Sequence, residues 1–252
     1  MLNPLDMTGK TILVTGASSG IGRATAVLLS QLGARVILVA RSADNLEQTY
    51  QLLSGSGHAI EAYDLAEYEH IPTWIRAVVS RHGGLDGLVH SAGIQITAPL
   101  KVLDARRVEQ LWRINVSASL WLAKGFRQKG VNNQGGSIVF LSSAIALIAG
   151  TGLAAYSASK GAVIALVRSL AVELAREHIR VNCVAPGLVK TEMFHEFAAQ
   201  MPPDTLAALE RGYLLGFGET SDVSHSIVFL LAGASRWITG STLVVDGGLT
   251  VQ

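Results

Sequence analysis

The sequence predicts an α/β fold, a single doubly wound parallel sheet of about seven strands with helices on both faces. Short β-branched apolar runs alternate with segments of roughly ten residues or more that repeat apolar residues at helical spacing. The strand-like runs are apolar throughout, without the polar alternation of a half-exposed sheet, as expected where helices cover both faces. The first run also ends in a glycine-rich turn that opens the first helical segment.

Taken in order, Thr11 to Thr15 is the first strand and Gly20 to Leu32 the first helix, which Gly33-Ala34 breaks. Arg35 to Ala40 reads as a strand, Asn45 to Leu53 as a helix, Ala59 to Tyr63 as a strand and Ile71 to Arg81 as a helix. The alternation continues with strand Gly87 to His90, helix Arg106 to Lys124, strand Ser137 to Leu141 and a long helix from Ala154 to about Glu177. Strand Arg180 to Ala185, helix Thr220 to Leu231 and strand Thr242 to Val245 complete it. No linker, charge block or repeat divides the chain, so residues 1–252 are expected to form one domain of Rossmann type. Residues 187–217, with Pro202-Pro203, interrupt the alternation just past a strand. Ligands bind outside the carboxyl ends of strands in such sheets, so this insertion is expected to cover a site.

Composition narrows the function. An apolar content of 49% against 15% charge, with 26 Gly and 6 Pro, fits a compact chain that buries a large core. A net charge of +1 argues against a nucleic-acid footprint or a polybasic membrane patch, leaving small molecules as the expected partners. Cys183 stands alone in an apolar run, which excludes an internal disulfide and fits a packed thiol in a reducing compartment. Met1 to Lys10 has no charged region followed by an apolar one, and the apolar-looking stretch 144–167 is interrupted by Tyr156, Lys160 and several glycines. A cytoplasmic location without a membrane partner is expected. The histidines at 58, 70, 82, 178, 195 and 225 show no metal-ligand spacing, and no metal site is expected.

Two stretches carry chemistry. Thr15-Gly16-Ala17-Ser18-Ser19-Gly20-Ile21-Gly22 lies at the first strand-to-helix junction, where a dinucleotide pyrophosphate rests on helix N–H groups. Its G-x-x-x-G-x-G spacing differs from the usual G-x-G-x-x-G, so its position carries the inference. The second strand ends Val39-Ala40-Arg41-Ser42, with no carboxylate for the ribose hydroxyls. Arg41 suits a 2′-phosphate, so NADP(H) is favoured and NAD(H) remains possible. Asp64-Leu65 closes the third strand near the expected adenine edge. The second stretch joins Ser142 and Ser143 to Tyr156 and Lys160, four apart and on one face of a helix. A phenol near pKa ~10 is a poor acid/base at neutral pH, and a cation beside the phenolate lowers it. Tyr-x-x-x-Lys alone recurs by chance; the glycine turn supplies the context.

Together these motifs resemble the short-chain dehydrogenase/reductase family, in the form typified by 3-oxoacyl-[acyl-carrier-protein] reductases. The resemblance covers essentially the whole chain and rests on Thr15-Gly16-x-x-x-Gly20-x-Gly22, Ala92-Gly93, Asn115, Ser143, Tyr156-x-x-x-Lys160, Pro186-Gly187 with Thr191, and Val245-Asp246-Gly247-Gly248. It implies that Tyr156 is the general acid/base, that Ser143 holds the substrate oxygen, and that Lys160 lowers the phenol's pKa and binds the nicotinamide ribose. It further implies that Asn115 disturbs its helix locally and holds a water, and that Ser142 is a structural neighbour. Gly16, Ser18, Ser19, Gly20, Ile21 and Gly22 would meet the pyrophosphate. Ala92, Gly93, Pro186, Gly187, Val189 and Thr191 would border the nicotinamide half. His90-Ser91 departs from the family's usual Asn-Asn, and His90 reads as a structural replacement.

The expected function is an NADP(H)-dependent interconversion of a carbonyl and a secondary alcohol. The alternatives are a non-catalytic NADP-binding scaffold or sensor, and an NAD(H)-dependent dehydrogenase of the same fold. Ile145, Gln95, Met193 and Phe194, with Ser143, are the expected substrate-pocket residues. Val172 stands where carrier-protein-linked relatives tend to have a basic residue, which counts against a carrier-protein substrate. A homotetramer, or a homodimer, is expected by analogy.

Overall fold

A computed structural model describes residues 3–199 and 201–251; residue 200, within the expected covering segment, and residues 1, 2 and 252 lie outside the described residues. Seven strands form one sheet in the order β3-β2-β1-β4-β5-β6-β7, every pair parallel. They are β1 (Thr11–Thr15), β2 (Arg35–Ala40), β3 (Ala59–Ala62), β4 (Leu85–His90), β5 (Asn132–Leu141), β6 (Ile179–Pro186) and β7 (Thr242–Val245). The connecting helices are α1 (Gly20–Gln31), α2 (Ala43–Tyr50), α3 (Ile71–His82), α4 (Ala105–Trp112), α5 (Ala118–Phe126) and α6 (Ala154–Leu174). They continue with α7 (Glu192–Ala198), α8 (Pro203–Glu210) and α9 (Thr220–Leu231).

The apolar strands explain the two-sided core. Leu13, Ile37, Ile138, Phe140 and Val181 point to one face and pack against Ile75 of α3, Leu122 and Phe126 of α5 and Val167 of α6. Their neighbours Val14, Val36, Leu38, Val139 and Val184 point to the other, against Ala26 and Leu29 of α1 and Ile227 of α9. Phe126 and Phe140 are wholly buried, and truncating either to Ala costs about 3–5 kcal/mol by lost transfer energy and cavity formation. Strand order reverses at β1, which pairs β2 on one side and β4 on the other. The crevice at that switch point is where this architecture holds ligands.

Most boundaries fall within three residues of the sequence expectation, and three elements differ by more. The helix expected over 106–124 is two helices joined by a π-helical turn, Arg113–Ser117, because one extra residue is accommodated at Asn115. The strand expected from Ser137 begins at Asn132, bulging between Leu85 and Gly87 of its neighbour. Residues 187–217, where the alternation is interrupted, carry α7 and α8. Thr191 Oγ1 caps α7 by accepting from Phe194 N at 3.2 Å, and Pro203 occupies the first turn of α8.

Candidate active site

At the glycine turn, Gly16 has φ +68 and a Cβ there would lie 2.6 Å from Ala92 N, while a Cβ on Gly22 would lie 2.1 Å from the Gly16 carbonyl. Only glycine fits at either position. The chain therefore passes close beside Ala92 and enters α1 with Ser19 extended at the N-cap and making no side-chain cap bond. The ends of β1 and β4 are stitched together: Ser91 N donates to the Thr15 carbonyl at 3.3 Å and Ala92 N to Thr15 Oγ1 at 3.4 Å. Thr15 Oγ1 also lies 2.7 Å from His90 Nδ1. His90 is buried, and burial first, then the Lys160 charge, hold its pKa at about 3 against a weaker pull from the Ile114 carbonyl. Its Nε2 is buried without a well-formed hydrogen bond. A ring that stays neutral and sits inside the sheet fits the structural replacement expected of it.

The second half of the site is built on α6 and the π-turn. Asn115 Nδ2 donates to the Ile94 carbonyl at 3.0 Å and to Ser159 Oγ at 3.1 Å, while its Oδ1 accepts from Ile94 N at 3.0 Å. The Asn115 carbonyl accepts from Ser119 Oγ at 2.8 Å. Asn115 thus clamps the segment after Gly93 to α6. A Cβ on Gly93 would lie 3.2 Å from Asn115 Oδ1 and 3.3 Å from Lys160 Nζ, so small size is required there.

Lys160 is buried, its Nζ donating to the Leu141 carbonyl at 2.9 Å, and burial lowers its pKa to about 8. Ser142 Oγ donates to the Lys160 carbonyl at 2.9 Å, which anchors α6 to the end of β5. Tyr156 packs against the small cluster of Ile96, Ala98 and Leu111. Burial raises its pKa, and a hydrogen bond with Ser143 opposes the rise. The Lys160 ammonium is 5.9 Å from the Tyr156 ring centroid and turned toward the Leu141 carbonyl. Ser143, Tyr156 and Lys160 nonetheless converge beside Asn115 and Gly93, outside the carboxyl ends of β4 and β5.

The remaining expected residues fall into place unevenly. Arg41 is exposed at the end of β2, with no ion pair among the described residues. Asp64 Oδ1 accepts from Ala66 N at 3.0 Å, forming a turn just past β3, with Leu65 buried behind it. Gly187 N donates to the Val245 carbonyl at 3.0 Å, so Pro186 and Gly187 follow the end of β7, and Val189 then bridges to Gly218 ahead of α9. A cavity of about 400 Å³ behind this segment is lined by Gly187, Val189, Phe217, Asp222, Val245 and Gly247, and contains neither Tyr156 nor Lys160.

Ile145 is partly buried next to Ser143, Gln95 Nε2 donates to Thr97 Oγ1 at 3.2 Å, and Met193 is 51% exposed. Phe194, expected at the substrate pocket, is buried with Tyr213 and Phe217 at ring separations of 5.2–5.3 Å along that aromatic chain. Sequence reasoning missed Glu192, whose Oε2 accepts from Gly20 N at 2.9 Å, because the partners are 172 positions apart. It also missed the Leu141 carbonyl beneath Lys160.

The close backbone cradle at Gly16 and Gly22, the N-terminal turn of α1 and an Arg41 with no ion pair among the described residues fit a phosphate-bearing dinucleotide. This cradle and the Ser143, Tyr156 and Lys160 group lie at the same end of one parallel sheet. The family model described as Enoyl-(Acyl carrier protein) reductase matches residues 16–250. The human 3-oxoacyl-[acyl-carrier-protein] reductase is 36% identical over 241 residues, covering 95% of this chain and 98% of its own. The structure of a putative short-chain alcohol dehydrogenase from Sinorhizobium meliloti 1021 superposes with TM-score 0.93 at 32% identity, over 99% of this chain and 100% of that one. A gluconate 5-dehydrogenase from Burkholderia cenocepacia J2315, in complex with NADP and tartrate, superposes with TM-score 0.90 at 26% identity, over 99% of this chain and 98% of that one. The chain belongs to the short-chain dehydrogenase/reductase family.

Proposed function

We propose that this protein is an NADP(H)-dependent oxidoreductase that interconverts a carbonyl and a secondary alcohol, with Tyr156 as general acid/base. The observation that carries this reading is the convergence of Ser143, Tyr156 and buried Lys160 beside the glycine cradle. The bound dinucleotide supplies or accepts the hydride. Ser143 holds the substrate oxygen. Tyr156 gives that oxygen its proton on reduction and removes it on oxidation. Lys160 meets the nicotinamide ribose, and its charge stabilises the phenolate once the proton has left. Asn115 keeps the Ile94 backbone and α6 in register around them.

Arg41 receives the 2′-phosphate, which its exposure and its lack of an ion pair among the described residues support. NADP in the Burkholderia gluconate 5-dehydrogenase agrees with that choice. Ile145, Leu147 and Ile148 next to Ser143 favour a partly apolar carbonyl compound, and exposed Val172 offers no charge to a carrier protein. The exposed apolar residues Trp112, Leu120 and Val172 on α4, α5 and α6, with Trp237 and Val251 near the end of the chain, fit the two interfaces of a homotetramer. A cytoplasmic location fits the lone buried thiol Cys183.

The test is NADPH and NADH oxidation by the purified protein over 3-oxoacyl thioesters, sugars, steroids and simple ketones, with cofactor binding measured in parallel. NADPH is consumed with at least one class. Arg41→Ala weakens NADPH binding by roughly tenfold or more and leaves NADH binding within about twofold, because a charge-assisted pair is lost for the first alone. Equal losses for both cofactors contradict the 2′-phosphate role.

A further inference from the structure

The N-terminus of α1 carries no acidic residue in its first turn and no side-chain cap of its own. A carboxylate from the covering segment takes that place. Glu192 Oε2 accepts from Gly20 N at 2.9 Å, and Glu192 Oε1 lies 3.4 Å from Arg23 Nη1 one turn on. Arg23 in turn is fixed by its hydrogen bonds to the Ser18 carbonyl and, at 3.1 Å, to Thr49 Oγ1. Glu192 has little freedom to be elsewhere: it opens α7 directly after Thr191, which caps that helix and whose Cγ2 would lie 3.1 Å from a Cβ on Gly20. A negative side chain at a helix N-terminus satisfies an orphan N–H and is favoured by the helix dipole.

We propose that Glu192 is an affinity-setting residue: an internal anion that latches α7 to the phosphate-binding end of α1 and must yield Gly20 N to a cofactor phosphate. This rests on the dinucleotide reading above. Two anions cannot share one N–H donor, and their like charges repel at that distance. Cofactor binding is therefore opposed by the latch and, by reciprocity, loosens it. The segment that carries α7 is coupled to the cofactor through this carboxylate.

The experiment uses Glu192→Gln and Glu192→Ala in the full-length protein, with NADPH binding measured by titration and backbone hydrogen exchange measured without cofactor. Removing the charge tightens NADPH binding by roughly threefold to tenfold. Glu192→Ala also raises exchange at the amides of 194–198 in the cofactor-free protein, and saturating NADPH removes the difference from wild type. Unchanged or weaker NADPH binding in Glu192→Gln, or unchanged exchange in Glu192→Ala, overturns the latch. If neither wild type nor variants bind NADPH or NADH, the dinucleotide reading fails, while the exchange comparison still judges the α7 contact by itself.

Discussion

Lys160 reaches the site from a buried face of α6, and burial lowers its ammonium from 10.5 to about 8. The sign of the linked stability follows. Below about pH 8 both folded and unfolded chains hold the proton, and the folded state bears the full cost of burying the charge. Between about 8 and 10.5 the folded chain releases the proton first, and that cost disappears. Urea unfolding of wild type and Lys160→Met at pH 7 and pH 10 checks this: wild type gains about 2 to 3 kcal/mol relative to the variant as pH rises. Parallel pH dependence contradicts a depressed lysine. That Tyr156 and Lys160 face one way was legible from their four-residue spacing. That the ammonium turns to the Leu141 carbonyl was not, because this contact joins α6 to the end of a strand 19 residues earlier.

The glycine turn between β1 and α1 illustrates what an element-scale pattern conveys. Its order on the chain placed it at the switch point, and the backbone then explains the residue choice. A Cβ on Gly22 would meet the Gly16 carbonyl at 2.1 Å, whereas a Cβ on Gly233 has nothing within 4 Å. Gly22→Ala is expected to destabilise by about 2–4 kcal/mol and Gly233→Ala by no more than about 0.5 kcal/mol, as read from thermal or chemical unfolding. Equal stability of the two variants would show that the cradle is loose. Residues 187–217 lie just past β6, as their place after a predicted strand indicated, but their helices were not read from the sequence. Their helices are short, and the first is held by capping and by contacts with α1 that no local periodicity encodes. The π-turn at Asn115 lies within a continuous helical pattern, so only the family resemblance signalled it.

At the scale of the whole molecule, a doubly wound parallel sheet with helices on both faces was readable because apolar strands alternating with helices admit few topologies, while the order of its strands came from the structure. The candidate site was named in the sequence as residues spread from Gly16 to Phe194; the fold brings Ser143, Tyr156 and Lys160 together at one end of the sheet, and sequence alone does not give their distances. The fold holds the Tyr156 phenol by packing against Ile96, Ala98 and Leu111, independently of the phenolic oxygen. Deleting that oxygen therefore separates chemistry from architecture. The measurement is NADPH-linked turnover of Tyr156→Phe, made beside its NADPH affinity and unfolding midpoint. The account predicts affinity and midpoint close to wild type with turnover reduced by roughly 10²-fold or more. Turnover at the wild-type rate in a folded, cofactor-binding variant would contradict it.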